Sequence, residues 1–137
     1  MFVGEFTHQV DDKGRIRIPT KFKSALGEEA PFIMQGEEKC LYVYSKKFSY
    51  EMLESVFGGG KFNDKEMNAQ KARLMSKACY GEEDKQGRVT IPQALLKYAK
   101  IDVSSTIVSV GAYDHVQIWA KEAWEEFLAA EEKEEQE

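Results

Sequence analysis

The sequence predicts a mostly β protein with peripheral helices, an α+β fold built as one pseudo-symmetric body. Three observations carry that expectation. First, a charged turn occurs twice. Asp11-Asp12-Lys13-Gly14-Arg15-Ile16-Arg17-Ile18-Pro19 returns as Asp84-Lys85-Gln86-Gly87-Arg88-Val89-Thr90-Ile91-Pro92, 73 residues later. Second, each copy is followed by a matched pair of strand-like runs. Phe32–Gly36 and Leu41–Lys46 reappear as Ile107–Gly111 and Val116–Lys121, now at an offset of 75. Third, each unit has roughly 50–60 residues, which is marginal for a core of its own. The two copies should therefore pack on each other and exchange strands.

The elements follow in order. Residues 2–10 place Phe2, Phe6, His8 and Val10 on alternate positions, the period of a half-buried strand. Lys13-Gly14 reads as a turn. On the next strand Ile16 and Ile18 face one way and Arg15 and Arg17 the other, because side chains alternate. Pro19 suits the first position of a short helix, 19–26, that stops at Gly27. Residues 31–35 and 40–44 form a hairpin around Gly36–Lys39. A helix at 46–56 carries Phe48, Met52, Leu53 and Val56 on one face, and Gly58-Gly59-Gly60 ends it. Asn63, with Glu66 three residues on, reads as the N-cap of a connecting helix over 63–76, with Met67, Leu74, Met75 and Ala78 as its apolar face. The second copy repeats the plan: strand to 83, turn 84–87, strand 88–91, helix 92–99, strands 106–111 and 115–120, helix 121–131. The chain thus divides into a first repeat (1–57), a linker and connecting helix (58–77), a second repeat (78–130) and an acidic tail (131–137).

The net charge of -5 is unevenly spread. Residues 121–137 hold eight acids and two lysines, and the rest of the chain carries 16 acids and 17 bases. Residues 11–23 alone carry five bases against two acids, so a local phosphate-binding surface is compatible with an acidic chain. No apolar run is long enough to span a bilayer. The start lacks the pattern of a signal peptide, so a cytoplasmic location is expected. Cys40 and Cys79 have no metal-ligand spacing and read as small buried hydrophobes. His8 and His115 are lone histidines with no acid pattern, suited to structural roles. Tyr42, Tyr44, Trp119 and Trp124 fit core or interface positions better than base-stacking ones. No phosphate loop, nucleophile elbow or zinc signature is present, so neither an enzyme nor a cofactor or metal site is expected.

Chemistry concentrates in the repeated turn. Gly14 and Gly87 allow backbone conformations closed to other residues. Arg15 and Arg88 then project from the start of a strand. A guanidinium is a planar fork of donors that fits a phosphate or the O6/N7 edge of guanine. Asp11 and Asp84, four residues earlier, can hold that fork by an ion pair. The alternative is a turn-stabilising ion pair with no ligand, typically about 0–1 kcal/mol when exposed.

The doubled D-x-x-G-R-x-x-I-P, the opening Met-Phe-x-Gly-Glu-Phe and the Tyr-Gly-Glu-Glu-Asp-Lys-Gln-Gly-Arg stretch resemble the MraZ family of bacterial regulators, in the AbrB/SpoVT superfamily. The resemblance runs from residue 1 to about 130. It implies an AbrB-like swapped-hairpin β-barrel in each half and a ring-shaped homo-oligomer. It implies binding to short G-rich direct repeats in promoter DNA, and control of the division and cell-wall gene cluster from the nucleoid. On that likeness Arg15 and Arg88 contact DNA, Lys13, Arg17 and Lys85 support them at phosphates, and Asp11 and Asp84 orient the arginines. Arg17 is matched by Thr90 and Lys13 by Gln86, which makes the second turn the less basic one. A contrasting possibility is a protein-interaction module of the AbrB-like antidote type, docking a partner through Trp124, Phe127 and Leu128.

Overall fold

The computed structural model describes residues 1–58 and 64–136. Among the described residues, eight strands and five α-helices follow one another along the chain. They are β1 (Glu5–Gln9), β2 (Arg15–Ile16), α1 (Thr20–Leu26), β3 (Phe32–Gln35), β4 (Leu41–Tyr44), α2 (Lys46–Phe57) and α3 (Lys65–Met75). The second copy adds β5 (Cys79–Tyr80), β6 (Val89–Thr90), α4 (Gln93–Tyr98), β7 (Thr106–Gly111), β8 (Val116–Ala120) and α5 (Lys121–Gln136). The helices hold more residues than the strands, so the fold is mixed α+β rather than mostly β.

Six strands form one antiparallel sheet in the order β1-β7-β8-β4-β3-β5, and β2 pairs with β6 in a separate ladder. The first strand of each copy pairs with the other copy: β1 lies on β7, and β5 on β3. The strand order reads the same when the copies are exchanged. Two rungs mark the axis of that exchange. Ile16 pairs with Val89, its own counterpart at the 73-residue offset. Tyr42 pairs with Gln117, its counterpart at the 75-residue offset. A pseudo-twofold therefore runs through both rungs. The sheet is open, with β1 and β5 as its edges. The expected closure into β-barrels is absent among the described residues, because β2 and β6 pair with each other rather than bridging those edges.

One core serves both copies. Val10, Ile16, Phe22, Ile33, Leu41 and Val43 from the first pack with Val89, Leu95, Ile107, Val116 and Ile118 from the second. Strand alternation sends the other residues to the outer face. There Phe32, Met34 and Tyr44 are covered by Phe48, Met52 and Leu53 of α2 and Leu74 and Met75 of α3. On the second copy Trp119 is covered by Trp124 and Phe127 of α5.

Several boundaries differ from expectation. Pro19 is the N-cap of α1, with an extended ψ of 136°, and Pro92 does the same for α4. The connecting helix is capped by Asp64, whose carboxylate accepts from Met67 N–H at 3.0 Å. Asn63, Gly59 and Gly60 lie outside the described residues, and Gly58 caps α2. Val56 is exposed rather than packed. Helix α5 continues to Gln136 instead of ending at 131, because Ala, Glu and Lys are strong helix formers even without an apolar face.

Candidate nucleic-acid interface

The two charged turns share one construction. In the first, Asp11 Oδ1 accepts the N–H of Lys13 at 2.9 Å and of Arg15 at 2.8 Å, and Oδ2 accepts Arg15 Nε–H at 2.6 Å. In the second, Asp84 Oδ1 accepts the N–H of Gln86 and of Arg88, both at 2.9 Å, and Oδ2 accepts Arg88 Nε–H at 2.8 Å. The backbone matches as well. Asp11 N–H donates to Arg15 O and Gly14 N–H to Asp11 O, as Asp84 and Gly87 do in their turn. Gly14 and Gly87 sit at φ of 76° and 77°, in the left-handed region that a Cβ disfavours.

Each arginine is engaged through Nε, which leaves its terminal amino groups free of hydrogen bonds among the described residues. Side-chain exposure is 22% for Arg15 and 24% for Arg88, so both are partly sheltered and open on one side. Loss of water around Asp11 raises its pKa, but the bonds from the Arg15 N–H, the Arg15 side chain and the Lys13 N–H outweigh this and hold it at about 2. At Asp84 the backbone bond from Arg88, opposed by partial desolvation and aided by the Arg88 side chain and the Gln86 N–H, holds the carboxyl below its ordinary value. Both aspartates are therefore anionic across the neutral range.

The β2–β6 ladder joins the turns. Gly14 O accepts from Ile91 N–H at 3.0 Å, and Arg17 Nε–H donates to Gln86 O at 3.2 Å. Arg17, a sequence neighbour of the first turn, is thus bonded to the second. Lys23 also lies there: its Nζ pairs with Glu83 at 2.8 Å and lies against Gly87. Antiparallel pairing thus brings Arg17 and Lys23 of the first copy beside the second turn, where Lys23 meets Glu83, and sets Lys97 of the second copy in the recess beside Lys13 and Gly14. Lys13 and Lys85 are exposed on their own turns, and so is Lys21 on α1.

The other candidates take structural places. His8 donates to or accepts from Ser109 at 2.6 Å, and burial lowers its pKa. His115 does have an acid partner, which its spacing to other residues had not revealed: Asp114, the adjacent residue, lies 2.7 Å from Nδ1. From there Gln117 and Trp119 continue a polar chain, at 3.1 and 2.9 Å, and Tyr42 and Tyr44 pack on the His115 ring. Cys40 is buried, its Sγ donating to Glu37 O, and burial pushes its thiol up to about 12. Trp124 and Phe127 are occupied by Trp119, while Leu128 of α5 is exposed. Among the described residues no cluster of three or more His, Cys, Asp or Glu could hold a metal, and no helix is long and apolar enough to cross a membrane.

The chain matches the family described as "MraZ protein, putative antitoxin-like" in two consecutive segments, residues 1–72 and 74–137, one per copy. The transcriptional regulator MraZ of Clostridium tetani is 41% identical over 128 residues, covering 93% of this chain and 87% of that protein. The proteins of the same name from Acetivibrio thermocellus and Finegoldia magna are 39% and 36% identical, each covering 93% of this chain and 86% of the relative. With a match over nearly its whole length and both charged turns within it, this chain belongs to the MraZ family, whose curated relatives carry the name transcriptional regulator.

Proposed function

We propose that this chain is a sequence-specific DNA-binding regulator of transcription. In this reading it binds short G-rich direct repeats in the promoter of the bacterial division and cell-wall gene cluster. It acts as a ring-shaped homo-oligomer in the cytoplasm, associated with the nucleoid. Residues 1–57 and 78–130 are the two AbrB-like, strand-swapped repeats, 58–77 connects them, and 131–137 is an acidic tail. Arg15 and Arg88 read bases or bridge phosphates, Asp11 and Asp84 orient them, and Lys13, Arg17 and Lys85 hold the phosphate backbone.

The observation that carries this reading is the pair of identically clamped arginines on one face-to-face ladder. In each turn the clamp at Nε holds the guanidinium in place with its terminal amino groups directed to other partners. Duplex DNA presents phosphates and base edges at a regular spacing, and a pseudo-symmetric pair can meet two of them together. One bidentate Arg–guanine contact discriminates by about 1–3 kcal/mol, too little for regulation from a single site. Copies around a ring multiply such contacts through effective concentration.

Fluorescence anisotropy tests this. Labelled duplexes with one and with four G-rich repeats are titrated with wild type, Arg15→Ala and Arg88→Ala in a salt series, with light scattering to follow assembly. The expected result is much tighter binding of four repeats, a log K against log[salt] slope near -0.9 per phosphate neutralised, and weakened binding in both variants with assembly intact. Equal affinity for one and four repeats, or a flat salt response, would remove this function.

A further inference from the structure

We propose that the second turn is the stronger phosphate-binding half of this surface, and that Arg17 and Lys23 of the first copy serve it rather than their own turn. This rests on the DNA-binding reading above and assigns residues within it. The basis is a position-by-position comparison about the pseudo-twofold. Beside the second turn stands Arg17, bonded to Gln86 O. Its counterpart beside the first turn is Thr90, which pairs with Arg15 across the ladder. Against Gly87 lies Lys23 Nζ, 4.0 Å from where a Cβ would be. Against Gly14 the counterpart is Leu96, whose Cδ1 would be 3.1 Å from such a Cβ. At both places a cation serves the second turn and a neutral side chain serves the first.

Charge counted in space follows. The first turn has Lys13 and Arg15 against Asp11 and Asp12, a balance of zero. The second has Arg17, Lys23, Lys85 and Arg88 against Glu82, Glu83 and Asp84, an excess of one positive charge. Lys23 is tied to Glu83 at an exposed site, where a lysine can exchange a carboxylate for a phosphate at little cost. Extending the β2–β6 register by one step sets Arg17 opposite Arg88. Like charges placed opposite each other repel, and an anion between them relieves the repulsion. A phosphate of duplex DNA has that charge and size.

The test uses the full chain and a labelled duplex with four G-rich repeats, read by anisotropy across a salt series. Arg17→Gln should reduce the log–log salt slope by about 0.9, one phosphate contact. Arg88→Ala should weaken low-salt binding more than Arg15→Ala. In double-mutant cycles Arg17→Gln should couple to Arg88→Ala and add independently to Arg15→Ala. Arg17→Lys keeps the charge and gives up the Nε bond to Gln86, so it should retain the slope. An Arg17→Lys variant that loses the slope as Arg17→Gln does makes Arg17 a structural strut and overturns the proposal. Coupling of Arg17 to Arg15, or an unchanged slope, overturns it too while leaving DNA binding standing. A wild type that ignores the duplex overturns the function itself.

Discussion

The two turns are alike within and unlike beneath. Every hydrogen bond that Asp11 makes to its own turn has a counterpart at Asp84. Under the glycine, however, one turn has Leu96 and the other Lys23. The inner geometry is local, set by an acid, a glycine and an arginine within five residues. The floor is not local, because each copy's helix packs under the other copy's turn. A duplicated sequence can therefore keep one turn shape and still give its two faces different chemistry.

The strongest way to break the comparison is through the core that both turns stand on. Phe22 and Leu95 are counterparts at the 73-residue offset, with 1% and 0% exposure. Phe22→Ala should cost about 3–5 kcal/mol and Leu95→Ala about 2–5 kcal/mol, from lost burial plus the cavity left behind. Because the cluster mixes residues of both copies, each variant should still unfold in one cooperative step by circular dichroism. Two separated transitions in either variant would mean that the copies are stabilised independently.

Glycine substitutions probe the floors directly. Gly14→Ala and Gly87→Ala both force a Cβ into the left-handed region, at roughly 1–2 kcal/mol. Gly14→Ala should cost more, since its new methyl meets Leu96 at 3.1 Å, whereas Gly87→Ala meets only the end of a flexible lysine at 4.0 Å. Urea midpoints measured side by side would decide, and equal losses would show that Leu96 moves aside freely.

The contrast also explains what could be read in the sequence. Strand alternation in Phe32–Tyr44 and Ile107–Ala120, and the stops at Gly27 and Gly58, are local signals, and the elements fall close to where they were expected. The Asp–Arg clamp was legible because both partners lie in one turn. The destinations of Arg17 and Lys23 were not, since they depend on β2 lying against β6, two strands 73 residues apart. Barrel closure failed as an expectation for a related reason: which strands pair is decided by the whole sheet. The length of α5 was missed because an apolar-face criterion ignores a run held by propensity alone.

Acid titration compares the clamps. The Asp11 carboxyl lies at about 2 and Asp84 is also lowered. A carboxyl that binds its proton more weakly when folded adds stability above its ordinary value near 3.8, and that contribution disappears as pH falls toward 2. Asp11→Asn and Asp84→Asn should each flatten the fall of the urea midpoint across this window, and the double variant should flatten it further. A response from one variant alone would mean that the clamps differ as well as the floors.

The smallest effect belongs to the sheet edges. Five rungs tie β1 to β7, while two tie β5 to β3. The longer edge holds a half-buried titratable group, His8 against Ser109. Burial lowers the His8 pKa from 6.5, so the folded edge holds its proton more weakly than the open chain does. That contribution is complete above about pH 6.5 and is lost as pH falls below it. His8→Gln keeps a polar side chain near Ser109 and cannot titrate. Amide exchange in β1 of the wild type should therefore quicken between about pH 7 and about pH 5, after correction for intrinsic rates. In His8→Gln it should hold steady, and β5 should hold steady in both. A pH response that survives in His8→Gln would place the sensitivity elsewhere and leave the two edges distinguished by length alone.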